Sequence, residues 1–368
     1  LVYELDRECR AAAVKAAHRA GLRAPAALFV NAEPEALDVT RGGAHFDASR
    51  IPEGMRVVVE ITERAVTARV ADLLPIAEQL RRRGVGIALD DVGADRRSLA
   101  LMPFLRPDVI KLDLRLVQDP PSARTAEIHN AVAAHAERYG AVVVAEGIET
   151  EEHAARARAM GATVGQGWLY GRPGPLATER PEPKAAVPIS PPTFEDALTP
   201  YAAIDGARPT RRASKRLLLS ISRELEQRAL ALGDSAVLLS TFQHERFFGS
   251  SQASRYARLA SQLAFVGAFG AGVDTFPASA VRGANLEPSD PLVEEWDVVV
   301  VDPHFAGALT ARDLGDTGCP DLDRRFDFKL THDRDLVVRA ARSLMARIDP
   351  THRASDHLAG RSASAQPG

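Results

Sequence analysis

Six apolar runs in the first half of the chain each end in a residue able to hold a cation or move a proton. Asn31 follows Phe29-Val30, Glu60 follows Val57-Val58-Val59, and Asp90-Asp91 follow Ile87-Ala88-Leu89. Lys111 and Asp113 flank Leu112, Glu146 follows Val142–Ala145, and Gln166 stands in a weaker run from Thr163 to Tyr170. Oxygen donors dominate the set, and neither cysteine nor histidine belongs to it, which favours Mg2+ or Mn2+ over Zn2+. A vicinal pair such as Asp90-Asp91 lets one carboxylate bridge two cations while its neighbour binds one. Two such ions, about 3.5–4 Å apart, suit hydrolysis of a phosphodiester: one activates water and both neutralise developing charge.

These residues recur at intervals of roughly 20 to 35 positions, about the length of one βα unit. Amphipathic helical patterns lie between the runs, clearest at Val66–Arg83, Ala123–Tyr139 and Glu151–Met160. Such alternation predicts a parallel sheet with helices outside it. In a parallel barrel every strand opens at its C-terminal end on one face, so all six groups converge, whereas an open doubly wound sheet gathers only a few at its switch point. A barrel is therefore expected. Thr62-Glu63 and Glu149-Thr150-Glu151-Glu152 supply caps and acids where helices should start, and Gly84, Gly140 and Gly161 stand where they should end. The chain opens on Leu1 inside a helical pattern of Leu1, Leu5, Cys9 and Ala12-Ala13, as if cut from something longer.

Five segments carry a closer resemblance. Val59-Glu60-Ile61-Thr62-Glu63, Leu89-Asp90-Asp91-Val92-Gly93, Ile110-Lys111-Leu112-Asp113, Val144-Ala145-Glu146-Gly147-Ile148-Glu149-Thr150 and Gly165-Gln166-Gly167-Trp168 resemble, in order and spacing, the successive motifs of EAL-family cyclic-di-GMP phosphodiesterases. Phe29-Val30-Asn31 resembles the asparagine-bearing strand before them. Singly each has an ordinary explanation, as helix-terminal acids, a turn or a surface pair; five in order are far more specific. The resemblance covers about residues 1–175 and implies an α/β fold, a TIM-like (β/α)8 barrel lacking its first strands. It implies that Asn31, Glu60 and Asp90 bind one metal, and Asp90 with Asp91 a second, as Mg2+ or Mn2+. Lys111 would hold the attacking water and offset charge, and Glu146 would be a general base or position that water. Asp113, Glu149 and Gln166 would complete the site, and Glu63 would anchor the loop after Asp91. The implied reaction opens cyclic di-GMP to the linear guanosine dinucleotide.

Two departures matter. The glutamate that names the family belongs on a strand before the asparagine, whereas Glu35-Ala36-Leu37 follows it. The loop after Asp91 reads Val92-Gly93-Ala94-Asp95-Arg96-Arg97-Ser98-Leu99, with Asp95 where the family has glycine and Arg96 where it has an aromatic. Since that loop helps place the metals and couples to homodimerisation, the alternative is a catalytically weak receptor for cyclic di-GMP. Arg96 and Arg97 could also hold phosphate or simply be solvated.

From Gly171 to Pro192 periodicity gives way to a proline-rich linker, taken as residues 176–192. Residues 193–348 are expected to form a smaller α/β domain, with a helix from about Arg212 to Leu232, apolar runs at Ala236–Leu239 and Val298–Val301, and a last helix near Asp333–Ile348. Arg211–Leu217, Trp296–Val301, Ala311–Asp316 and Arg324–Asp327 with Thr331–Arg334 resemble the DICT sensory domain, which implies regulation by a ligand or protein partner that the family does not specify. Leu218, Ile221, Leu225 and Leu232 suit a core face or a dimer seam. Residues 349–368 read as a disordered tail. A net charge of -3 and 5% aromatic content argue against a nucleic-acid partner. Two cysteines form no disulfide framework and fit a reducing, cytoplasmic compartment, and no apolar run reaches the roughly 18 residues of a membrane span.

Overall fold

The computed structural model describes residues 2–32, 51–175, 186–191, 197–316 and 318–348. Glu35-Ala36-Leu37, most of the linker and the C-terminal tail lie outside these residues. The first unit runs α1 (Val2–Arg19), β1 (Ala27–Asn31), β2 (Arg56–Thr62), α2 (Glu63–Arg82), β3 (Gly86–Val92), α3 (Arg97–Leu105), β4 (Val109–Leu112), α4 (Leu114–Gln118), α5 (Ala123–Tyr139), β5 (Val142–Ala145), α6 (Glu151–Ala159) and β6 (Val164–Gly165). The six strands pair in sequence order, each parallel to the next, with helices returning the chain between neighbours from β2 to β6, and the sheet curves as a half-barrel.

Local chemistry sets the helix ends. Thr62 and Thr150 cap α2 and α6 by accepting from Ala65 and His153 amides, and Ser122 with Thr125 forms a capping box for α5. Gly140 ends α5 in the left-handed region at φ 71°. Helix α3, unforeseen from periodicity, is buried almost throughout, which erases the polar face that a periodic pattern needs.

Strand parity sorts side chains between the two faces of the sheet. Val57, Val59 and Ile61 turn outward to α2, whereas Val58, Ala88, Val109 and Val144 make a small apolar layer of their own, with Phe29 and Val187 against it. Residues 186–191, inside the expected linker, dock on the sheet: the Arg56 guanidinium donates to the Val187 carbonyl, and Asp108 accepts from the Ser190 amide at 2.7 Å.

The second unit runs α7 (Pro200–Ile204), β7 (Arg211–Ser214), α8 (Lys215–Leu232), β8 (Val237–His244), α9 (Ser250–Ala260), β9 (Phe265–Ala271), β10 (Arg282–Asn285), β11 (Glu295–Val301), β12 (Ala306–Asp313), β13 (Arg325–Thr331) and α10 (Arg334–Met345). Its seven-stranded mixed sheet has the order β10-β9-β8-β11-β12-β13-β7. Residues 211–214, expected at the start of a helix, instead pair antiparallel with β13, and α8 begins at Lys215. Leu218 and Leu225 are buried against one sheet face, with Ile221 and Leu232 beside them, so this stripe is a core face. The other face is covered by α10, whose Leu336, Val337, Ala340 and Leu344 share one continuous core with Leu99, Leu101 and Phe104 of α3. No helix among the described residues is long and apolar enough to cross a membrane.

Candidate active site

Six of the residues singled out from the sequence sit two positions beyond an inward-facing apolar residue of the same run. Asn31 follows Phe29, Glu60 follows Val58, Asp90 follows Ala88, Lys111 follows Val109, Glu146 follows Val144, and Gln166 follows Val164. Two residues along a strand restore the same face, so these groups form the next layer toward the C-terminal mouth. Asp91 should then point the other way. A register shift between Leu89 and Val92, with Asp91 at φ 58°, breaks the alternation locally. The bulge brings ligand atoms of Asp90, Asp91 and Glu146 all within 4.8 Å of one another.

Lys111 is the hub. Its Nζ lies 2.8 Å from Glu60 Oε1, 2.7 Å from Asp90 Oδ1 and 2.7 Å from Glu146 Oε1, on a side chain 5% exposed. Burial alone would lower this ammonium's pKa, but the three carboxylates more than reverse that and hold it well above the ordinary lysine value. Burial pushes the Glu60, Glu146 and Asp91 carboxyls up, against the pull of Lys111. Four acids, Glu60, Asp90, Asp91 and Glu146, against one ammonium leave three negative charges in a largely buried mouth. Excess negative charge and hard oxygen donors together fit divalent cations.

The loop after Asp91 is held from beneath. Glu63, 1% exposed, accepts from the Gly93 amide at 3.1 Å, from the Asp95 amide, and from Ser98 Oγ at 3.0 Å. Burial raises its pKa despite these donors. The Arg124 guanidinium caps the Gly93 and Ala94 carbonyls from α5. Asp113 caps α4 and takes a bidentate grip from Arg115 at 2.9 and 3.1 Å, which outweighs its burial and leaves its carboxyl below the ordinary value. Gly147, after Glu146, sits at φ 65°, where a Cβ would meet Leu114 Cβ at 2.5 Å, so only glycine lets the chain turn against α4.

Not every expected residue joins the cluster. The Asn31, Glu149 and Gln166 side chains are exposed, and none contacts the Lys111 group. Asn31 is nonetheless the backbone partner of Glu60, and Gln166 lines a cavity of about 400 Å³ shared with Lys111, Phe29, Val144 and Tyr170. Arg96 was weighed from the sequence as a phosphate ligand or a solvated side chain. It instead pairs with Glu127 at 3.1 Å and with Asp234, in the second unit, at 3.3 Å. Arg115, two residues after Asp113, was foreseeable from spacing; the Arg96–Asp234 contact, far apart in sequence, was not.

Residues 1–173 match the family described as the EAL domain, and residues 202–314 match the one described as a sensory domain in diguanylate cyclases and two-component systems, DICT. Cyclic di-GMP phosphodiesterase NbdA of Pseudomonas aeruginosa is 38% identical over 120 residues, which are 32% of this chain and 15% of that protein. The probable cyclic di-GMP phosphodiesterase PdeD of Escherichia coli is 36% identical over 122 residues, 33% of this chain and 23% of its own. The chain therefore spans less than a quarter of the length of these two curated relatives. Among solved structures, the Klebsiella pneumoniae BlrP1 manganese/cyclic-di-GMP complex at pH 9.0 is 31% identical, covers 46% of this chain and 45% of its own, and has a TM-score of 0.43. The chain thus joins an EAL domain to a DICT domain.

Proposed function

We propose that the chain hydrolyses cyclic di-GMP to the linear guanosine dinucleotide. The observation that carries this reading is the Lys111 hub among Glu60, Asp90 and Glu146, at the mouth of a parallel half-barrel. Mg2+ or Mn2+, held by Asn31, Glu60, Asp90 and Asp91, would acidify a water and neutralise phosphate oxygens. Glu146, its proton affinity raised by burial, takes the proton of the attacking water. Lys111 holds that water and offsets the charge gathering on the phosphoryl group. A ribose oxygen–phosphorus bond breaks, the water oxygen joins phosphorus, the departing ribose oxygen takes a proton from solvent to leave as a hydroxyl, and the ring opens. Glu63 positions Asp91 through the loop, Asp113 fixes the start of α4, Gln166 borders the cavity that takes the nucleotide, and Glu149 completes the mouth near Glu146.

The DICT domain would regulate this site. Arg96 ties the loop after Asp91 to Asp234, so a shift of the second domain reaches the carboxylates through the segment that Glu63 pins. The ends of the two family matches support a division at about residues 175 and 193. The exposed Cys9 and Cys319 fit a reducing cytoplasm, and a homodimer is the assembly the family implies.

The test is hydrolysis of cyclic di-GMP by the natural polypeptide that carries this chain, with Mg2+ and with Mn2+, beside Glu146→Ala. Metal-dependent turnover lost in the variant is expected. Saturable nucleotide binding without turnover would favour the receptor, the reading supported by Asp95 and Arg96 in the loop. Neither binding nor turnover would overturn both.

A further inference from the structure

A second cavity, also of about 400 Å³, lies within the DICT domain, between α8, α9 and the sheet. Aromatic side chains form its walls: Phe242, Phe247, Tyr256, Trp296 and Phe326. They brace one another edge to face, Phe242 with Tyr256 at 5.1 Å and Trp296 with Phe326 at 5.6 Å. Its floor is polar. Glu226, 6% exposed, accepts from the Tyr256 hydroxyl at 3.0 Å and pairs with Arg255 at 3.1 Å, and the same hydroxyl lies 2.7 Å from Ser240 Oγ. This network satisfies itself, but the buried Ser222 Oγ beside it has no hydrogen-bond partner. A buried hydroxyl without a partner is destabilising, and a ligand's polar edge would relieve it.

The rim is cationic. Lys215, Arg223, Arg246 and Arg255 line the cavity against Glu226 and Asp321, an excess of two positive charges. Asp321 engages Lys215 at 2.7 Å and Glu226 engages Arg255, so the excess resides on Arg223 and Arg246. Both are exposed, and no ion pair joins either among the described residues. Aromatic walls, a buried hydroxyl with no partner among the described residues and two guanidinium groups at the rim outside any ion pair, with that of Arg246 stacked over Phe247 at 4.9 Å, define a ligand by its chemistry. We propose that this cavity is the ligand site of the second domain, and that it takes a planar aromatic anion, ring inward and charge at Arg223 and Arg246. A nucleotide and an aromatic carboxylic acid share that chemistry.

Trp296 supplies the test. The chain holds two tryptophans, so Trp168→Phe leaves Trp296, in the cavity wall, as the sole indole. The probe is 1-anilinonaphthalene-8-sulfonate, an aromatic anion excited by energy transfer from Trp296. Saturable transfer at one probe per chain is expected, with at least a tenfold loss of affinity in Arg223→Glu/Arg246→Glu, whose side chains are on the surface and leave the core intact. Displacement of the probe by guanosine monophosphate identifies a nucleotide ligand, and displacement by indole-3-acetate an aromatic acid. Absence of saturable transfer, an affinity within threefold in the charge-reversed chain, or displacement by neither competitor would overturn the proposal.

Discussion

At the scale of single residues, the site is a problem of charge held too close. Lys111 relieves part of the repulsion among Glu60, Asp90 and Glu146, and the excess that remains demands cations. Glu146 can be tested apart from the others, because its neutral amide keeps the shape while losing the proton acceptor and one of the three charges around Lys111, which Glu60 and Asp90 still hold. Glu146→Gln should therefore lower turnover of cyclic di-GMP by about 10²–10⁴-fold while binding stays within a few-fold, read by product chromatography beside equilibrium titration. His135 poses the opposite case, a titratable group remote from the mouth. Burial, aided by Arg106, Arg334 and Arg81, lowers its pKa to about 3, so it is neutral in the fold. Below its ordinary value near 6.5, the unfolded chain takes a proton that the native chain refuses. Stability from this group is thus complete above that value and is lost as pH falls toward 3. The loss between pH 7 and pH 5 should be on the order of 2 kcal/mol. His135→Phe, which keeps a ring against Tyr139, should flatten that slope in urea unfolding measured at both pH values.

At the scale of elements, the loop after β3 matters most, because its path sets where Asp91 points. Glu63→Ala removes the acceptor of the Gly93 and Asp95 amides and one of the two acceptors of Ser98 Oγ, loosening the loop from beneath. The Mn2+ concentration needed for half-maximal turnover should rise by about 10–100-fold, the usual effect of losing a group that orients metal ligands. A merely destabilising change would lower activity without moving that midpoint. The six strands of the first unit were legible because strand and site share one rule: the polar residue stands two positions past an inward apolar one, as Glu60 does after Val58 and Lys111 after Val109. The bulge at Asp91 breaks that rule and left no trace beyond the vicinal pair itself. In the second domain β9 and β12 escaped notice, since both faces of that sheet are covered and glycine and alanine fill Phe265–Ala271 and Ala306–Asp313 without alternation. Strand β7 was hidden for another reason. Its Arg211 and Arg212 are exposed and read as a helix start, and only pairing with β13 makes them a strand.

At the scale of the whole molecule, the two domains share a core rather than merely touching. Helix α10 lies between the DICT sheet and α3, and its apolar face is continuous with that of the barrel helices. Around this seam Asp335 gathers Arg106 at 2.9 Å, Arg138 at 3.0 Å and the Tyr139 hydroxyl at 3.3 Å, but it is half exposed, and such pairs contribute little. Arg342 differs. It is 9% exposed, donates to the Phe104 carbonyl at 2.6 Å and faces Glu78 at 3.8 Å, with Glu78 itself 5% exposed. Removing the guanidinium takes the donor from the buried Phe104 carbonyl and weakens the pairing at Glu78, which keeps Arg81 nearby; this should cost about 1–3 kcal/mol, whereas Asp335→Asn should cost less than about 1 kcal/mol. A shared apolar core also couples the two unfolding reactions, since neither domain can open without exposing the other's face of α3 or α10. The intact chain should therefore melt in one calorimetric transition, and in Trp168→Phe the fluorescence of Trp296 should change at that same temperature. Arg342→Ala should lower that temperature and separate the two signals, because it weakens the seam while leaving each domain's own sheet untouched. Two transitions already present in the intact chain would show that the seam is weaker than its packing implies. A route from the DICT cavity to the loop after Asp91 would then lean on the contact of Arg96 with Asp234.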